Sequence, residues 1–122
     1  MKIHESGEMY LETILVLSKK KTNVRSIDIA DHMNFSKPSV SRAVNILKND
    51  GFIEIDPSGY ITLTDSGRAI AEKIYDRHNF ISSILVRLGV NEKTAVEDAC
   101  AIEHVISDES IEAIKKHVHV KA

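Results

Sequence analysis

A membrane span, an export signal and a disulfide pair are all missing from this sequence. No apolar run approaches the roughly 20 residues that a bilayer-crossing helix needs. The opening Met1-Lys2-Ile3-His4-Glu5 has no apolar stretch of the kind an export signal requires. Among 122 residues there is one cysteine, Cys100, so no internal disulfide can form. A reducing, cytoplasmic setting is the expectation. A positive excess is missing too: 16 Lys and Arg stand against 18 Asp and Glu, a formal net charge of -2. Any binding of nucleic acid therefore has to come from local charge. There is no internal repeat, no low-complexity tract, no Gly-rich phosphate loop and no nucleophile–base arrangement. An enzyme is not expected.

What is present is an ordinary balance of 43% hydrophobic and 28% charged residues, enough for a small domain with a helical extension. The charges are sorted by sign. Cations cluster in the first half at Lys19-Lys20-Lys21, Arg25, Lys37, Arg42 and Lys48. Carboxylates gather in the second half at Glu97, Asp98, Glu103, Asp108, Glu109 and Glu112.

Periodicity predicts a first helix from about His4 to Lys20, with Tyr10, Ile14 and Leu17 recurring on one face beside Leu11 and Leu15. Ser26 reads as the cap of a short helix, Ile27 to Met33. Asn34-Phe35 is a turn. Ser36 caps a third helix with Pro38 in its first turn, where a missing N–H costs nothing. Val40, Val44 and Leu47 are its buried side, and Gly51 ends it. Phe52–Ile55 and Tyr60–Leu63 read as strands around the turn Asp56-Pro57-Ser58-Gly59. Thr64-Asp65-Ser66 caps a long fourth helix ended by Gly89. Asn91 caps a fifth, to about Ile106. Ser107 or Asp108 caps a sixth, through Lys116. The expected fold is mainly α with a small β-hairpin wing: a winged helix-turn-helix over 1–70 and a helical region over 71–122.

The third helix turns Lys37, Ser39, Ser41, Arg42 and Asn45 away from its apolar stripe. These side chains hydrogen-bond phosphates and base edges. They lie mainly in the half of the helix that enters the major groove in a helix-turn-helix. Arg42, with its planar fork, is the base-reading candidate, and Lys37 and Ser39 suit phosphate. Arg25 and Ser36 complete the candidate DNA-binding set. Serines and a proline that merely start a solvated helix would look alike; the hairpin that follows favours DNA.

A second constellation suits a metal. Cys100, Glu103 and His104 fall at i, i+3 and i+4, one face of a helix. Thiolate, carboxylate and imidazole all bind first-row metals. Met9 and Glu12 share a face of the first helix, and His78 lies midway along the fourth. An ion held from three helices would clip the DNA-binding part to the dimerising part. Taken singly, Met9 reads as core, Cys100 as a small hydrophobe and His78 as a locally hydrogen-bonded ring. Two other readings stand beside this one. One is a winged-helix regulator without metal that uses Cys100 as a redox switch. The other is a small metalloenzyme, for which no substrate machinery is visible.

Together these stretches resemble the DtxR/MntR family of metal-dependent repressors along nearly the whole chain. The resemblance rests on Glu8-Met9-Tyr10-Leu11, on Ser36-Lys37-Pro38-Ser39-Val40-Ser41 and on Leu63-Thr64-Asp65-Ser66-Gly67-Arg68. Its strongest stretch runs from Glu97 to Glu109. It implies a homodimer on palindromic operator DNA, activated by a divalent metal. In the iron branch, the positions of Met9, Cys100, Glu103 and His104 hold the activating ion. In the manganese branch, Met9 and Cys100 are replaced by carboxylates, and the positions of Glu12, His78, Glu103 and His104 are ligands. His78 matches a ligand in both. The two sulfurs favour iron(II) over manganese(II). Ser82 and Val96 stand where the iron branch has ancillary-site ligands, so that second site is not expected. In length the chain is similar to two-domain members of the manganese branch.

Overall fold

The computed structural model describes residues 5–118. The elements run α1 (Glu5–Lys20), α2 (Ser26–Met33), α3 (Lys37–Asn49), β1 (Ile53–Ile55), β2 (Ile61–Leu63), α4 (Asp65–Arg87), α5 (Glu92–Ile102) and α6 (Asp108–His117). They form two compact units that divide between Glu72 and Lys73, within α4. His4, the expected start of the first helix, lies outside the described residues.

In the first unit α1 packs on α2, α3 and β2, and α3 packs on α2 and β1. The expected stripes are the core: Tyr10, Leu11, Ile14, Leu15 and Leu17 from α1, and Val40, Val44 and Leu47 from α3, are all buried. Ile29, Phe52, Ile53 and Ile61 join them. Such aliphatic side chains contribute about 1.5–3 kcal/mol each on burial. The strands pair antiparallel in the register Ile53–Leu63, Glu54–Thr62, Ile55–Ile61.

Local chemistry sets the boundaries. Ser36 Oγ accepts from the Ser39 amide and so caps α3. At the other end of α3, Gly51 adopts φ +84°, and the Phe52 amide reaches back to the Leu47 carbonyl, 3.0 Å away. This left-handed stop suits glycine. Gly67 is required for a different reason: a Cβ there would stand 1.9 Å from the Phe52 carbonyl oxygen. In the hairpin turn, Asp56 Oδ1 accepts from the amides of Ser58 and Tyr60, both at 2.9 Å.

The strands each begin one residue later than expected, at Ile53 and Ile61, and two helix boundaries differ for a visible reason. The cap of α2 is Arg25 rather than Ser26, because Asp28 reaches back to the Arg25 amide at 2.9 Å. Asp28 also pairs with Lys21 at 2.6 Å, and that lysine together with the amide holds its carboxyl below the ordinary carboxylate range. Helix α5 ends at Ile102, four residues before the expected Ile106. Beyond it the Glu103 amide still bonds the Ala99 carbonyl, after which the chain turns into the cap of α6 at Ser107.

The second unit has a smaller core. Ile81, Ala99 and Ile111 are buried together, with Phe80, Leu85, Ile102 and Ile106 packed against them. Val86, Leu88, Val96 and Val105 stay exposed, Leu88 at 76% and Val105 at 73%. No helix among the described residues is long and apolar enough to cross a membrane.

Candidate metal centre and DNA-reading surface

The second unit gathers four of the six expected ligands. His78 comes from α4, Cys100 from the last turn of α5, Glu103 caps that helix, and His104 follows in the turn. His78, Cys100 and Glu103 each place one donor atom within 4.8 Å of the others. His78 Nδ1 lies 2.9 Å from Glu103 Oε2 and 3.7 Å from Cys100 Sγ. His104 Nε2 is 3.3 Å from the other carboxylate oxygen, Glu103 Oε1. The early end of α5 therefore leaves the spacing useful: Glu103 continues the helical hydrogen-bond pattern, and its side chain still reaches the donors around it.

The donor set fits a divalent ion. Glu103 is fully buried, and a buried carboxylate is costly unless positive charge or donors surround it. Its flanking groups are imidazoles and a thiol, which supply lone pairs to a metal as readily as they supply protons to the carboxylate. Donors of a four-coordinate ion at about 2.0–2.3 Å stand about 3.3–3.7 Å apart, the scale of the His78–Cys100 separation.

Met9 and Glu12 lie in the first unit, on α1, Met9 exposed and Glu12 half-buried. Met9 is thus not the core residue that a lone methionine suggests. Ser82, at the position of an ancillary ligand in the iron branch, spends its hydroxyl on the His78 carbonyl at 2.8 Å.

On α3, Lys37, Ser39, Ser41, Arg42 and Asn45 are all exposed, with Val40, Val44 and Leu47 on the opposite side. The Ser36 and Ser39 hydroxyls bond each other at 2.8 Å, so both are already engaged at the helix start. Arg25 is exposed and its guanidinium sits over the Tyr60 ring, 4.7 Å from the centroid. That stacking joins the cap of α2 to the residue just before β2. Tyr60 was not among the expected site residues; a lone aromatic after a turn gives no signal of a cation above it.

The description "Iron dependent repressor, N-terminal DNA binding domain" matches residues 2–60, and "Iron dependent repressor, metal binding and dimerisation domain" matches residues 64–120. An uncharacterized HTH-type transcriptional regulator of Methanocaldococcus jannaschii is 37% identical over 113 residues, 91% of this chain and 90% of that protein. The chain belongs to the DtxR/MntR family. Transcriptional regulator MntR of Escherichia coli O6:H1 is 31% identical over 106 residues, covering 87% of this chain and 68% of that one. The solved structure of the manganese regulator SloR superposes with a TM-score of 0.81 at 29% identity, covering 96% of this chain and 54% of that one. The chain thus spans about half the length of that structure. DtxR/MntR proteins are metal-dependent transcriptional repressors, not enzymes, and this one shares their winged helix-turn-helix and C-terminal helical region.

Proposed function

We propose that this DtxR/MntR protein is a cytoplasmic homodimer that represses metal-homeostasis genes by binding operator DNA when loaded with a divalent metal. Residues 1–70 bind DNA and residues 71–122 bind metal and dimerise. The observation that carries this reading is the His78–Cys100–Glu103–His104 donor cluster in a chain that also presents a polar, cationic recognition helix. Met9 and Glu12 complete the ligand set from α1, so that an ion ties the two units together. The exposed Val86, Leu88, Val96 and Val105 support dimerisation, since covering them removes apolar surface from water. On DNA, Arg42 reads a base, while Arg25, Ser36, Lys37, Ser39, Ser41 and Asn45 contact backbone or flanking bases.

When bound, the ion supplies a fixed positive charge among carboxylates. The protein's own residues do the rest. Glu103 holds the α5 turn to α4 through His78, with His104 beside its other carboxylate oxygen, and Lys37 and Arg42 meet phosphate and base edges. Coupling is reciprocal: DNA raises metal affinity by the factor by which metal raises DNA affinity.

Iron(II) is the preferred activator, because Cys100 and Met9 offer sulfur where manganese(II) prefers oxygen. Manganese is the second reading, favoured by the carboxylate of Glu12 and by the manganese regulator among the similar structures. Fluorescence anisotropy on a duplex selected in the metal-loaded state tests the whole reading. Metal should tighten binding at least about tenfold over chelator, a coupling of about 1.4 kcal/mol. Glu103→Ala and His104→Ala should abolish that response while circular dichroism stays helical. Equal affinity in metal and in chelator refutes it. For the metal, Met9→Asp with Cys100→Glu should raise the response to manganese(II) relative to anaerobic iron(II). A wild type that responds better to manganese(II) establishes the second reading.

A further inference from the structure

Two successive residues of α4 act on opposite ends of Glu103. His78 Nδ1 approaches the carboxylate, 2.9 Å from Oε2. Arg77 Nη1 donates to the backbone carbonyl of the same residue at 3.2 Å, and to the carbonyl of Ile106 at 2.9 Å. The amide of Glu103 is already bonded to Ala99. Both backbone groups of Glu103 are therefore fixed. His104 lies in the turn between the two carbonyls that Arg77 grips.

Arg77 is itself held. Its side chain is 10% exposed, and Nη2 pairs with Asp108, the first residue of α6. Asp108 also accepts from Lys73 Nζ at 3.0 Å. A guanidinium is costly to bury unless its donors are satisfied, and here three acceptors from two segments meet its rigid fork. Lysine carries its donors on one nitrogen and lacks the planar fork that spans these three acceptors. The two carbonyls it takes, those of Glu103 and Ile106, lie just beyond the end of α5, where a cation also suits the helix dipole.

We propose that Arg77 is a positioning residue for the metal centre: by gripping the Glu103 and Ile106 carbonyls it sets the Glu103 and His104 side chains in place before an ion arrives. This rests on the metal-sensing reading above. A turn ordered in advance lowers the ordering cost of binding, and partners one step removed from a ligand typically change metal affinity about 10–100-fold. Asp108 orients Arg77 in turn and so links the start of α6 to the centre.

The test uses the full chain with cobalt(II) as probe. Affinity is read by chelator competition, and the donor set by the absorption bands of cobalt(II) and its sulfur charge transfer. Metal-free hydrogen exchange of the amides from His104 to Ile106 reads the turn itself. Arg77→Gln should weaken cobalt(II) at least about tenfold, shift its bands and speed exchange in the turn. Arg77→Lys should recover part of both. Should Arg77→Gln not fold, Asp108→Asn, at an exposed position, decides by the same two readouts, with a smaller loss. Wild-type cobalt(II) affinity and spectrum in folded variants overturn the proposal, as does weakened binding with unchanged exchange in the turn. A wild type that takes up no cobalt(II) overturns the metal reading and this proposal together, which separates the two failures.

Discussion

The two units keep their shape by different means. In the first, Leu11, Ile14, Ile29, Val40, Val44 and Ile53 are buried almost completely, and the buried hydroxyl of Thr13 bonds the carbonyl of Met9 in its own helix. In the second, a core of Ile81, Ala99 and Ile111 sits beside a fully buried carboxylate, Glu103, and a nearly buried guanidinium, Arg77, while Leu88 and Val105 face outward. The first unit is a finished apolar core that displays a polar helix. The second buries charge, and its barest apolar side chains, Leu88 and Val105, are more exposed than Ile46 and Phe35, the barest of the first. Such a unit is marginal by itself and gains from anything that neutralises its charge or covers its surface. That is a suitable composition for a sensor.

The largest expected break falls in the first unit. Gly67→Ala drives a methyl group into the Phe52 carbonyl and should cost about 3 kcal/mol or more. Denaturant unfolding checks it; a loss under about 1 kcal/mol would show that α4 can shift without cost to β1. Next comes a change that should leave the second unit untouched. Arg42→Ala should weaken operator binding by about 1–3 kcal/mol and relax sequence preference, with metal affinity of the free protein unchanged. A loss equal for operator and random duplex would reassign Arg42 to phosphate.

Smaller effects sharpen the comparison. Ser36 and Ser107 cap α3 and α6 in the same way, each accepting from the amide three residues on. Ser36→Ala and Ser107→Ala should each cost about 1 kcal/mol. Added metal should offset the loss at Ser107 and leave that at Ser36 nearly as large, as thermal melting with and without metal would reveal. Equal rescue at both positions would mean that the ion stabilises the chain as one block.

The smallest effect is one of pH. Lys73 first, then Arg77, hold the Asp108 carboxyl below its ordinary value of 3.8. A carboxylate with a lowered folded pKa stabilises the protein above the unfolded value and loses that contribution as pH falls through the folded one. The melting difference between wild type and Asp108→Asn should be present at neutral pH and shrink below about pH 4. A difference that does not change with pH would place the role of Asp108 outside its charge.

Most of the first unit was legible because its signals are local. Apolar spacing marked the faces of α1 and α3, and Asn34, Ser36, Gly51 and Asp56 marked the turns. The Arg25 cap was missed because the bond that makes it comes from Asp28, three residues ahead. In the second unit Cys100, Glu103 and His104 could be seen as a set by spacing alone. The early end of α5 could not, since the guanidinium that grips the Glu103 and Ile106 carbonyls just beyond it belongs to Arg77, 26 residues before Glu103. His78 was proposed only from its place midway along the fourth helix, with no local sign of a ligand; its place beside Glu103 depends on how α4 meets the α5 turn.

The hairpin turn has a consequence for how this protein could be altered. Asp56 satisfies the amides of Ser58 and Tyr60, and its own amide and carbonyl bond Tyr60 and Gly59. The tip thus closes on itself, with Pro57 and Ser58 exposed at its end. It works as a cassette. Side chains at those two positions can be exchanged, lengthened or recharged without borrowing a bond from any helix, so the wing is the place to graft new preferences while recognition and sensing stay as they are.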